Sequence, residues 1–140
     1  MQNSSLVTNL NAFLHIEIAA LEEVKFKKPI TDFVRKLPED ITQFDIDNHS
    51  DAISLGYATQ FIQNATKIYV MIDIRTRTTA LGGVAKVMDL LCRKNVPIRL
   101  VLLGRHTTLE TMGKTLGEDN FFKNLSPEEQ EKSIEDFFMS

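Results

Sequence analysis

Two short stretches concentrate the side chains that hold anions. Arg75-Thr76-Arg77-Thr78-Thr79 follows one apolar run, residues 67–74, and Arg105-His106-Thr107-Thr108 follows another, residues 97–104. Arginine forks, threonine hydroxyls and the amide groups of a starting helix are the donors that grip phosphate or carboxylate. The expected anion-binding set is therefore Arg75, Arg77, Thr78, Thr79, Arg105, His106 and Thr107. The plainer account of the same residues is that threonines cap helices and arginines decorate a rim. A second set is acidic, with Asp45 and Asp47 at the end of residues 41–46 and Asp73 near the end of KIYVMIDI. Three carboxylates converging on one magnesium ion would serve phosphoryl chemistry, whereas as turn and helix-start residues they need no ion. Asp73 stands between Ile72 and Ile74, so a carboxylate there needs a partner if the strand is buried.

Other routes to catalysis find little support. Cys92, between Leu91 and Arg93, reads as a small buried thiol. His15, His49 and His106 have neither metal-ligand spacing among themselves nor a cysteine partner. There is no Gly-x-Ser-x-Gly elbow, no Gly-x-Gly-x-x-Gly and no P-loop. Gly82 and Gly83 are expected inside a helix, packed on the sheet, and Tyr57 and Tyr69 as core or near-core aromatics. No cofactor is called for. The chain has 140 residues, 43% of them hydrophobic, and can bury about two-thirds of its unfolded surface as one domain. A net charge of -3 disfavours a nucleic-acid partner, and no apolar run reaches the ~20 residues of a membrane span. With one cysteine and no charged-then-apolar leader, a reducing cytoplasm is the expected location.

These residues must be positioned by an alternation of strands and helices. Residues 67–74 and 97–104 are short, β-branched and nearly continuously apolar, as strands covered on both faces require. Between them, residues 78–95 carry Leu81, Val84, Met88 and Leu91 at helical spacing, which makes a right-handed β-α-β unit. Residues 41–46 read as a shorter strand nearer the sheet edge. They are followed by a helix over about 50–64 whose repeating Ile53, Tyr57 and Phe61 mark its apolar face. Pro29 opens a two-turn helix that stops at Pro38. Thr107 with Glu110, and Ser126 with Glu129, fit capping boxes for two closing helices, with Phe121 and Phe122 as core plugs between them. Residues 9–26 match both templates; the reading adopted is a strand at 13–19 that breaks into a helical turn, and the first ten or so residues could be disordered.

From residue 54 to 134 the order of elements resembles the sulfate-transporter and anti-sigma-factor-antagonist (STAS) domain. The stretches that carry the likeness are the helix LGYATQFIQNA, the strand KIYVMID, a hydroxyl-rich junction, a long helix, the strand IRLVLLG, and a helix ending near Leu116 before paired phenylalanines. The resemblance implies a non-enzymatic regulatory module that docks on a partner. It also implies a phosphorylatable hydroxyl at the start of the long helix, which falls on Thr78 or Thr79. The family has an Asp-Ser-Ser/Thr-Gly-like junction there, where this chain has Arg-Thr-Arg-Thr-Thr-Ala. A phosphate on Thr78 would meet Arg75, Arg77 and Arg105 at the positive end of a helix.

The expectation is thus a single α/β domain with a short, mainly parallel or mixed sheet of three or four strands flanked by helices. Its expected role is a non-catalytic cytoplasmic module that meets a protein partner, a small anionic ligand or a further copy of itself. The alternative is a magnesium-dependent enzyme acting on a phosphate-bearing small molecule through Asp45, Asp47 and Asp73.

Overall fold

Short β-branched runs separated by amphipathic stretches build a sheet whose strands are all linked by crossovers. The computed structural model describes residues 9–24, 29–76 and 80–139. In chain order these form β1 (Asn11–Ile18), a 3-10 turn (Leu21–Glu23), α1 (Pro29–Arg35), β2 (Ile41–Asp47), α2 (Ala52–Asn64) and β3 (Lys67–Ile74). There follow α3 (Val84–Arg93), β4 (Ile98–Leu103), α4 (Thr107–Lys114), β5 (Phe121–Lys123) and α5 (Pro127–Met139). The strands lie in the order β2-β1-β3-β4-β5, and every neighbouring pair is parallel. The expected start of the third helix at Thr78, together with Arg77 and Thr79 and the first eight residues, lies outside the described residues.

The ambiguous amino-terminal stretch is a strand, and the reason is its place in the sheet. β1 is inserted between β2 and β3, so all its side chains from Ala12 to Ile18 are buried. The fifth strand, beyond the expected three or four, is the three-residue β5. Its Phe121 packs against one core layer and its Phe122 against the other, so the two plugs also extend the sheet. One layer joins Leu14, Ile16, Ile18, Val70, Ile72 and Leu100 to α2, α3 and α4. The opposite layer joins Phe13, Tyr69, Met71 and Val101 to α1 and α5.

Two expectations about helices are corrected. In α2 the buried stripe is Ala58 and Ile62 with Leu55 and Phe61 beside it, so the helix is rotated from the expected face and leaves Ile53 and Tyr57 in solvent. The third helix starts at Val84 with Gly83 as its cap, which places Gly82 and Gly83 in the loop before it. Gly82 has φ +56, and a Cβ there would meet the Asn48 carbonyl oxygen at 2.5 Å, so this loop packs on the β2-α2 turn only without a side chain.

Two outcomes follow from the packing. Gly104 has φ +106, and a Cβ there would lie 2.7 Å from the Ile74 carbonyl oxygen. Gly104→Ala should therefore cost about 1–3 kcal/mol, read as a lower urea midpoint at unchanged slope. Tyr69 is fully buried, stacked on Phe13 at 5.5 Å, and donates its hydroxyl to Ser133 Oγ at 2.9 Å. Burial pushes its pKa from 10.0 up to about 12. Between those values the unfolded chain has lost this proton while the folded chain keeps it. The stability Tyr69 contributes is therefore whole below about pH 10 and lost as pH rises through about 12. Urea midpoints of the Tyr69→Phe variant should lack that alkaline step.

Candidate functional site

In open parallel sheets ligands sit beyond the carboxyl ends of the strands, at the point where chain order reverses. Here the chain leaves β1 for β2 on one side and returns to β3 on the other, so that point lies between β1 and β3. In-register pairing puts Asp47, Glu17 and Asp73 side by side across β2, β1 and β3. All three project to the α1/α5 face, by the alternation that sends Phe13 and Tyr69 there. Glu17 is 1% exposed. Carboxylates directly opposite one another on adjacent strands repel, and Arg75 resolves the conflict. Its Nε lies 3.0 Å from Glu17 Oε2, and its Nη2 donates to Asp73 Oδ2 at 2.8 Å. The Arg75 amide donates to the Ile18 carbonyl at 2.8 Å, fixing the side chain's origin at the head of β1.

A cleft of about 360 Å³ opens above this group. Its floor is His15, Met71, Asp73 and Arg75. α1 contributes Pro29 and Ile30 to the walls, and α5 contributes Pro127, Gln130 and Glu131. His15 is buried, in register with Asp45 on one side and Met71 on the other. The α5 start is held by the expected box, with Ser126 and Glu129 exchanging backbone and side-chain hydrogen bonds at 2.8 and 3.2 Å. Those bonds hold the Glu129 carboxyl below its ordinary range.

Of the expected anion set, Arg75, Arg105, His106 and Thr107 are among the described residues. Arg75 is engaged by two carboxylates. His106, not Thr107, caps α4: its Nδ1 accepts from the Leu109 amide at 3.4 Å, and its own amide donates to Glu110 Oε2 at 3.3 Å. An accepting Nδ1 places the ring proton on Nε2, which is buried without a hydrogen-bond partner among the described residues. Thr107 and Arg105 are exposed at the start of α4. Desolvation works to raise the Glu110 carboxyl, but Lys123, the His106 amide and the Arg105 charge together outweigh it and leave it lowered. Arg77, Thr78 and Thr79 lie outside the described residues.

The acidic set is also spread out. Asp47 and Asp73 are separated by β1 and stand two strand spacings apart, about 9–10 Å. Asp45 is exposed, while Asp47 Oδ1 accepts from the His49 amide at 2.7 Å. Among the described residues no three His, Cys, Asp or Glu side chains are grouped so that they could hold a metal ion. Glu17 and His15, at the centre of the site, were missed because alternation in Leu14-His15-Ile16-Glu17-Ile18 reads as a half-exposed strand. The available signal was the one that marked Asp73, a charge flanked by isoleucines.

The other face of the sheet carries a different surface. Residues Ala52–Asn64 of α2 contain no charged side chain, and Ile53 and Tyr57 are 71% and 61% exposed. Ala52, Gly56 and Gln60 complete the exposed stripe. No helix among the described residues is long and apolar enough to cross a membrane. No protein-family model, curated protein or solved structure matches this chain.

Removing Arg75 alone takes a bridging cation away from buried Glu17 and from Asp73. Arg75→Met should cost about 3 kcal/mol, at the low end for a broken buried pair because Arg75 is itself partly exposed. The double variant Glu17→Leu with Arg75→Met should recover more than half of that loss in urea titrations. A double variant less stable than Arg75→Met would show that the pair does not act as a unit.

Proposed function

We propose that this chain is a non-catalytic regulatory module that docks on a protein partner through the exposed stripe of α2. The observation that carries the reading is the pairing of Ile53 and Tyr57 in solvent on a helix without a charge. Centres of protein interfaces are depleted in charged residues and enriched in aromatic ones, and a fully solvated isoleucine and tyrosine on adjacent turns gain from being covered. The partner's matching surface is therefore uncharged and apolar at its centre. The order of elements from α2 to α4, with its likeness to STAS domains, supports the same role. Control by an anion or by phosphate on Thr78 or Thr79 would act at the neighbouring strand-helix junctions, where Arg105 and Thr107 face solvent. A lone half-buried thiol at Cys92 fits a reducing cytoplasm.

The phosphoryl-enzyme reading draws no comparable support, because its aspartates stand apart and Asp73 is held by Arg75. A photo-crosslinking side chain at position 53 or 57 should give a discrete adduct in cells that the same group at exposed position 132 on α5 does not. Ile53→Glu combined with Tyr57→Ala should abolish the adduct formed from exposed position 60 while changing stability by less than about 0.5 kcal/mol. Identical adducts from positions 53 and 132, or adducts that survive the double variant, would sink the docking role.

A further inference from the structure

We propose, building on the docking role of α2, that its partner is a second copy of this chain, joined through the β2 edge so that two sheets become one. The two edges of the sheet are unlike. At one, β5 is three residues long and ends in Lys123. Short strands and edge lysines are devices with which natural sheets discourage further pairing. At the other, β2 runs for seven residues, Ile41–Asp47, without lysine or proline, and among the described residues no strand lies beyond it. Such an edge is a template for another strand.

The backbone shows which groups this edge offers. The Asn48 amide donates to the Glu17 carbonyl at 3.1 Å, toward β1. The Asp47 amide and carbonyl point the other way and are taken by Ser50 at 2.9 and 3.1 Å. Residues of a parallel strand alternate in this direction, so Ile41, Gln43 and Asp45 also direct N–H and C=O away from β1. The Ser50 turn closes the edge at Asp47, which leaves a set centred on Gln43. A twofold axis through Gln43 pairs the two strands antiparallel and lets each Gln43 exchange both backbone hydrogen bonds with its counterpart. It also sets Asp45 opposite Ile41 of the second copy, not opposite another Asp45, and so avoids a clash of like charges.

The docking stripe of α2 stands on the same flank. Phe61 stacks on Phe44 of β2 at 5.4 Å, and Tyr57 and Ile53 lie one and two turns before Phe61 along that side of the helix. The opposite side of α2 meets the start of α3, where Leu55 packs on Gly83. Pairing at Gln43 therefore brings the two α2 helices toward each other with Tyr57 and Ile53 between them. They run antiparallel, which opposes their dipoles favourably, and neither carries a charged side chain to repel its copy. A second copy thus supplies both complements at once, a strand edge and an uncharged helix.

The test begins with sedimentation velocity of the purified full chain. Its mass should double as concentration rises through the micromolar to millimolar range, and Ile53→Glu with Tyr57→Ala should move that transition upward by about tenfold. Gln43→Cys in a Cys92→Ser background should give a disulfide-linked dimer in mild oxidant, because directly paired residues of antiparallel strands stand about 5.5 Å apart at Cα, within disulfide reach. Lys132→Cys in the same background should not. A chain that stays monomeric throughout, a dimer indifferent to the α2 variant, or equal disulfide formation from positions 43 and 132 would each overturn the assignment. The docking reading fails separately. A monomeric chain that still gives an adduct with a different protein from position 57 in cells keeps that reading and loses the second copy, whereas a monomeric chain without the adduct loses both.

Discussion

Glu17 is a carboxylate in an interior strand of a parallel sheet, and the ion pairs of the carboxyl edge answer to it. Taking such a group out of water costs several kcal/mol unless an opposite charge and good hydrogen bonds accompany it. The register makes matters worse by placing Asp47 on one side and Asp73 on the other. Arg75 meets this demand only because β3 runs parallel to β1 and ends level with it, so that the first residue past β3 reaches back over both carboxylates. Arg75 is thereby committed to Glu17 and Asp73.

Much of this architecture is written in residue types. The continuous apolar runs of β3 and β4 required helices on both faces, and these are present. The Ser126-Glu129 box and Pro127 placed the start of α5, and Pro29 that of α1. What was not legible depended on neighbours. Periodicity in α2 fits two stripes, one through Ile53 and Tyr57 and one through Leu55, Ala58 and Ile62, and only the strands beneath decide which is buried. The alternation in β1 looks half-exposed until β2 and β3 are known to flank it. The shift of the α4 cap from Thr107 to His106 turns on a single ring nitrogen accepting one amide, a choice that propensity does not resolve.

The candidate site was legible in part for the same reason. Asp73 and Arg75 were visible because each lies at the end of an unmistakable strand. Glu17 and His15 were hidden because their strand was ambiguous. Asp45 and Asp47 were visible but misplaced, since a linear reading puts the strands containing Asp47 and Asp73 next to one another. Inserting β1 between them separates the aspartates and builds a cleft floor in their place. The two faces then differ in chemistry: ionic and concave between α1 and α5, neutral and convex along α2.

The position of β1 between β2 and β3 also governs how the chain can assemble. This interior strand is made before the other four, and it has no flanking strand until β2 and then β3 have been made. Glu17 is without Arg75 through that whole interval, so this ion pair cannot help β1 to bury early. The emergence of residues 67–75 is therefore a commitment step: one segment delivers both the second flanking strand and a guanidinium that pairs with Glu17.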